Sequence, residues 1–199
     1  ESTAEPSSPG AFYDLVDTAA GDTVEVDTGA GSTLTYRVDS VRNFGKADLP
    51  LDEVFQRSGP PRLVLITCGG PFDRTTGSYQ ENIVVTAVPV CAGPAAPSPA
   101  TPAAAAQPGP ATSEAAPAPD VAFPAVRPDP VVPDAGPDDP ARVRVGSIEV
   151  DAPVVPVGVD DAGQMEVPED VRTIGWYRFG AAPGEDGSAV LSGHVDDRV

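Results

Sequence analysis

The fifty residues from 91 to 140 limit what this 199-residue chain can fold into more than any other feature. They hold 14 of the 25 prolines, few large apolar side chains, and runs such as Ala103 to Ala106. That composition cannot bury enough surface to offset its ordering entropy, so it reads as a disordered or polyproline-like tether. The foldable chain is thereby split into two blocks, 1 to 90 and 141 to 199.

Both blocks have the texture of strands separated by turns, without a long 3.6-residue period. Thr23 to Asp27, Leu34 to Val41, Arg62 to Thr67 and Ile83 to Val88 are rich in Val, Thr and Ile and bounded by Gly, Pro or Asp. Arg142 to Val145, Ile148 to Val150, Val154 to Val157 and Ala189 to Leu191 repeat the pattern. About eight short strands predict an all-β fold, a closed or sandwiched antiparallel one. Short helical turns are expected around Phe12 to Leu15, Leu51 to Gln56 and near Asp170. The second block has 59 residues and neither disulfide nor closing strand, so it is marginal alone. The two blocks are therefore expected to share one core.

Charge narrows the partners. A formal net charge of −18 with no Lys/Arg patch argues against nucleic acid and anionic membrane surfaces. No run of about 20 apolar residues is present, so the chain as given reads as neither membrane-spanning nor led by a signal peptide. Its acidic residues show no metal-ligand spacing, and no metal is expected. Of the two cysteines, Cys68 ends an apolar strand and Cys91 opens the tether, a poor arrangement for a structural staple.

Cys68 and the single histidine, His194, carry the chemistry. A free thiol is only a few per cent thiolate at neutral pH, so a working cysteine needs an imidazole or another positive group nearby. Cys68 follows Leu63-Val64-Leu65-Ile66-Thr67 and precedes Gly69-Gly70-Pro71, placing the thiol where a strand gives way to a loop. His194 likewise follows a strand and the Ser192-Gly193 turn. An inert buried cysteine and an ordinary loop histidine are the plain alternatives.

The motifs go further. Leu65-Ile66-Thr67-Cys68 resembles the TLxTC signature of sortases, and Ser192-Gly193-His194-Val195-Asp196 resembles the segment carrying the sortase histidine. Ile174 to Tyr177, Pro183-Gly184, Gly69 to Tyr79 and Asn82 to Pro89 are similar to actinobacterial sortases of class F, with class E as neighbour. The resemblance implies a closed eight-stranded β-barrel cysteine transpeptidase of the Gram-positive cell surface, monomeric and without a cofactor. It would cleave an LPxTG-like sorting signal between Thr and Gly, hold the acyl group as a thioester, and pass it to an amine of a cell-wall precursor or a pilin lysine. On this mapping Cys68 is the nucleophile, and His194 protonates the leaving amine and then deprotonates the incoming one. The family's arginine departs from pattern: the matching position is Asn82, and no arginine lies between Arg74 and Pro89. Arg74 is the candidate for that role, with Thr67 and Asn82 as substrate contacts. Asp196 and Asp197 stand beside the histidine as orienting or substrate-binding groups, or as a solvated turn. A catalytically degenerate binding module is the alternative function, and a hydrolase that releases the thioester to water is a third.

The order of the halves is inverted relative to sortases, in which the histidine half precedes the cysteine half. Joining Val199 to Glu1 restores the family order, so the sequence reads as a circularly permuted barrel, with 1 to 90 the C-terminal half, 91 to 140 the tether and 141 to 199 the N-terminal half; a natural or engineered permutation, an artefact of numbering, and the tail of one sortase fused to the head of another all fit. A flexible fifty-residue tether spans about 40 Å, enough to bridge a barrel. Cys91-Ala92-Gly93 resembles the lipidated start of a bacterial lipoprotein, which together with the family implies anchoring at the outer face of the membrane.

Overall fold

The computed structural model describes residues 9–75, 77–90, 139–160 and 164–196. One compact unit draws on both Glu1–Cys91 and Pro133–Val199; the second, Ala92–Val132, lies outside the described residues, as does most of the expected tether.

Eight strands close into a barrel. They are β1 (Thr23–Thr28), β2 (Thr33–Gly45), β3 (Arg62–Asp73), β4 (Ser78–Pro89), β5 (Pro140–Val145), β6 (Val150–Val157), β7 (Ile174–Tyr177) and β8 (Ser188–Ser192). The order around the barrel is β1-β2-β4-β3-β8-β7-β6-β5. Closure leaves no free sheet edge. The seams between the two blocks are β1 with β5 and β3 with β8.

The period-two alternation of each strand sorts side chains between the two faces. Val24, Val26, Leu63, Leu65, Val85, Val143, Ile174 and Leu191 point inward and form one core drawn from both blocks. Fully burying an aliphatic side chain contributes about 1.5–3 kcal/mol, so neither half can shed its partner cheaply. A second cluster, Val54, Val64, Val84 and Val190, covers the outer face, with Phe44, Ile66 and Met165 packed against it.

Three expectations need correction. The barrel is mixed rather than antiparallel: β3 runs parallel to β8 and β6 parallel to β7. The β6–β7 pair is reached through the long connection after Val157, since a parallel neighbour requires a crossover, and the β3–β8 pair joins different blocks. Ile148 to Val150 is not a separate strand, because Gly146–Ile148 forms a 3-10 turn and Glu149 adopts φ 53° before β6 begins. Near Asp170 there is a turn rather than a helix, closed by the Asp170 carboxylate accepting from the Arg172 N–H and the Thr173 hydroxyl, both at 3.0 Å. The other two short helical segments form, at Tyr13–Asp17 and Leu51–Val54.

Candidate active site

The site is built by the parallel β3–β8 pair. The clamp at its start is the β2–β3 connection: Ser188 N–H donates to Gln56 O at 2.7 Å, and Gly187 N–H to Gly59 O at 3.0 Å. Gly187 sits at φ 106°, and a Cβ there would lie 2.7 Å from the Gln56 carbonyl, so this close approach needs glycine. The clamp fixes the register Ile66↔Ser192. Because the strands are parallel, both chains leave at the same end of the barrel. Cys68 and His194 each stand two residues beyond that register pair, at equal offsets on adjacent chains.

Beyond the end of β8 the two chains stay joined, and β3 itself runs on through Gly69-Gly70-Pro71 to Asp73 rather than giving way to a loop at Cys68. Gly193 N–H donates to Ile66 O at 3.1 Å, and the buried Thr67 hydroxyl donates to Gly193 O at 2.9 Å. Thr67 is only 3% exposed and alternates with Cys68, so its hydroxyl serves the barrel interior rather than the outer face. The histidine segment is pinned from its other side by the start of the described chain. Phe12 N–H donates to His194 O and Gly10 N–H to Val195 O, each at 3.0 Å, and Pro9 bridges Asp196. Gly193 is glycine for a packing reason, since a Cβ there would lie 2.7 Å from the buried Phe12 ring.

Cys68 is a free, half-buried thiol on the outer face, the continuation of Val64 and Ile66. Burial pushes its pKa above the ordinary thiol value; the Lys46 charge opposes that shift and the Asp196 charge adds to it. Asn82 is its direct cross-strand partner on β4. His194 is half-buried, with Nε2 2.8 Å from Pro168 O. A carbonyl oxygen can only accept, so Nε2 carries the hydrogen, and in the neutral ring Nδ1 is the proton acceptor. Among the described residues no hydrogen bond joins the thiol to the ring.

The remaining predicted residues divide. Asp196 is 2% exposed, and its carboxylate accepts from the Tyr79 hydroxyl at 2.6 Å, so it is a buried, paired group rather than part of a solvated turn. Asp197 lies outside the described residues. Arg74 is exposed in the β3–β4 turn and is not among the charges acting on the thiol. Lys46 and Tyr79, which sequence reasoning did not single out, come to the site through strand register. On the same outer face, further back along β3 from Cys68, Phe44, Pro50, Val54, Val64 and Val84 line a shallow hollow together with Thr86 and the Arg42–Glu53 ion pair. Among the described residues no group of three or more His, Cys, Asp or Glu is placed to hold a metal ion, and no helix is long and apolar enough to cross a membrane.

A half-buried thiol within β3 and an imidazole just past the end of β8, on neighbouring chains, are a nucleophile and a proton acceptor suited to acyl transfer. Residues 5–90 match the family model described as the sortase domain. Over that stretch the chain is similar to the sortase family. The stretch takes in β1 to β4 and Cys68, and the closed eight-stranded barrel agrees with the sortase fold. No curated protein and no solved structure matches the chain. The matched stretch is less than half of the chain and does not include His194.

Proposed function

We propose that the protein is a cysteine transpeptidase that cleaves an LPxTG-like sorting signal between Thr and Gly and joins the Thr carbonyl to an amine. The observation that carries this reading is the equal offset of Cys68 and His194 from the Ile66↔Ser192 register pair. Burial favours the neutral thiol at rest, so the nucleophile is made as the substrate binds, by proton loss from Sγ to Nδ1 of His194. The sulfur adds to the Thr carbonyl carbon, forming a C–S bond. The C–N bond to Gly breaks as the imidazolium returns its proton to the departing amine. An incoming amine then attacks the thioester carbon, gives its proton to His194, and expels the sulfur. The apolar hollow beside Val64 and Val84 suits the Leu-Pro part of the signal, and Asn82, level with the thiol, suits its backbone amides.

The same reading places the protein nearest to classes F and E, on the outer face of a Gram-positive membrane, held by a segment beyond this chain or by lipid at Cys91. It also takes the chain as permuted. The hydrogen bonds from Gly10 and Phe12 to the His194–Val195 carbonyls support this, because they join the first block to the second beside His194. Peptide mapping decides that point: a proteolytic peptide reading from Val199 directly into Glu1 rules out a true permutation.

The function is tested by acyl transfer with LPxTG and LAxTG peptides and a series of amines. Product that vanishes in Cys68→Ala is expected. Absence of Cys68-dependent cleavage across both sets would refute the enzymatic reading in favour of a binding module.

A further inference from the structure

The positive charge of this site comes from a residue the motif does not contain. β4 lies between β2 and β3, and one row crosses all three strands: Phe44↔Asn82 and Asn82↔Cys68, followed by Gly45↔Glu81 and Glu81↔Gly69. Directly paired residues share a face, so Phe44, Asn82 and Cys68 all look outward. Lys46 is the next step of that row. Its N–H donates to Gln80 O at 3.3 Å, and its ammonium donates to Ser78 Oγ, reaching over β4 on the outer face.

Two strand spacings, about 10 Å, separate the Phe44 and Cys68 backbones; Lys46 lies two residues past Phe44, and its four-carbon stem carries the ammonium over β4 to Ser78, on the face of the thiol and one strand from β3. Turning from Ser78 back along β4, the flexible stem brings the ammonium toward a substrate carbonyl at the thiol. Other cations of this face are engaged differently: Arg42 pairs with Glu53 at 3.1 Å and lies over the Phe44 ring. Lys46 donates to a neutral hydroxyl, and among the described residues it forms no ion pair.

We propose that Lys46 is the cationic catalytic residue of the site, its ammonium contacting the Thr carbonyl oxygen as the Cys68 sulfur adds to the carbon. This assignment rests on the transpeptidase reading above and replaces Arg74 in the role. The oxygen gains negative charge when the C–S bond forms and loses it when the C–N bond breaks, so the ammonium stabilises the intermediate without giving up a proton.

The test compares Lys46→Met, Lys46→Arg and, as a charge control remote from the site, Arg37→Gln in the full chain. Two readouts are taken: kcat/KM for acyl transfer, and the rate of Cys68 alkylation by iodoacetamide against pH. The groups that set the second readout are Lys46 just past β2, Tyr79 and Glu81 on β4, Arg74 in the turn, and His194 and Asp196 after β8. Lys46→Met is expected to lower kcat/KM by about 10²-fold or more and to move the alkylation midpoint to higher pH. Lys46→Arg should restore most of both, and Arg37→Gln should change neither. An active wild type whose Lys46→Met variant is equally fast, or loss in Arg74→Gln alone, overturns the Lys46 assignment and leaves the transpeptidase reading intact. A wild type that cleaves no peptide overturns both, and an unmoved alkylation profile in Lys46→Met then shows that its charge does not reach the thiol.

Discussion

Thr67 links the fold to the chemistry through one hydroxyl. Its Oγ1 donates to the Gly193 carbonyl at 2.9 Å across the β3–β8 seam, at a position 3% exposed, and Gly193 immediately precedes His194. Thr67→Val keeps the branched shape and removes the donor, leaving a buried carbonyl with one fewer partner. Leaving such a group unsatisfied costs about 1–3 kcal/mol. For a domain of this size each kcal/mol lowers Tm by about 2–4 °C, so the variant should melt roughly 2–12 °C below wild type. The larger effect is expected on activity. Without the hydroxyl, Gly193 retains the single hydrogen bond to Ile66 O, and the imidazole is less firmly placed relative to the sulfur. A displacement of about 1 Å in a catalytic group can cost 10²-fold in rate. Circular-dichroism melts and kcat/KM should be measured together on Thr67→Val and Thr67→Ser. The serine variant, which keeps the hydroxyl, should recover most of both. Wild-type melting and turnover in Thr67→Val would refute the reasoning; lost stability with unchanged kcat/KM would show that the bond holds the seam without placing the histidine.

Further tests address the surroundings. Gly193→Ala drives a Cβ to 2.7 Å from the Phe12 ring and should destabilise by about 1–3 kcal/mol, read as a lower denaturant midpoint. The Asp196 charge raises the Cys68 pKa, so Asp196→Asn should lower it, and iodoacetamide should alkylate the variant faster than wild type at neutral pH. Tyr36 is fully buried, and burial pushes its hydroxyl up to about 12 from 10.0. The folded state therefore holds that proton more tightly than the unfolded one. The stability this contributes is present below about pH 10 and is lost as pH rises toward 12. Tyr36→Phe should flatten that alkaline loss in melts run across the range.

The strands of the first block could be read from Val/Thr/Ile runs between turn residues, because period-two burial leaves a local signature. The chain ends of β3 and β4 could not: both run well past their apolar segments, Thr67 and Ile83 to Val88, into polar residues that lengthen the ladder around the thiol. β7 carries Gly175, poor in strand propensity, and exists because the Val157 side chain and Pro168 close over the space a Cβ would fill. His194 is legible as a residue just past a strand end, whereas Cys68, read the same way, lies inside β3 because the ladder with β4 continues through Gly69-Gly70. Their partnership depends on the parallel β3–β8 register, a contact between residues more than a hundred positions apart. Lys46 and Asp196 mark the limit more sharply. Nothing local separates a loop lysine from a site lysine, or a solvated aspartate from one buried against Tyr79; both distinctions arise from pairing across the barrel.

The central claim is that Cys68 takes up an acyl group. Intact-mass and peptide-mapping spectrometry after brief exposure to an LPxTG peptide, quenched in acid without an amine acceptor, tests it most directly. The account predicts an adduct equal to the peptide up to its Thr carbonyl, located on Cys68, absent in Cys68→Ala and released by hydroxylamine. Peptide cleavage with no adduct on Cys68, or an adduct that persists in Cys68→Ala, would contradict it.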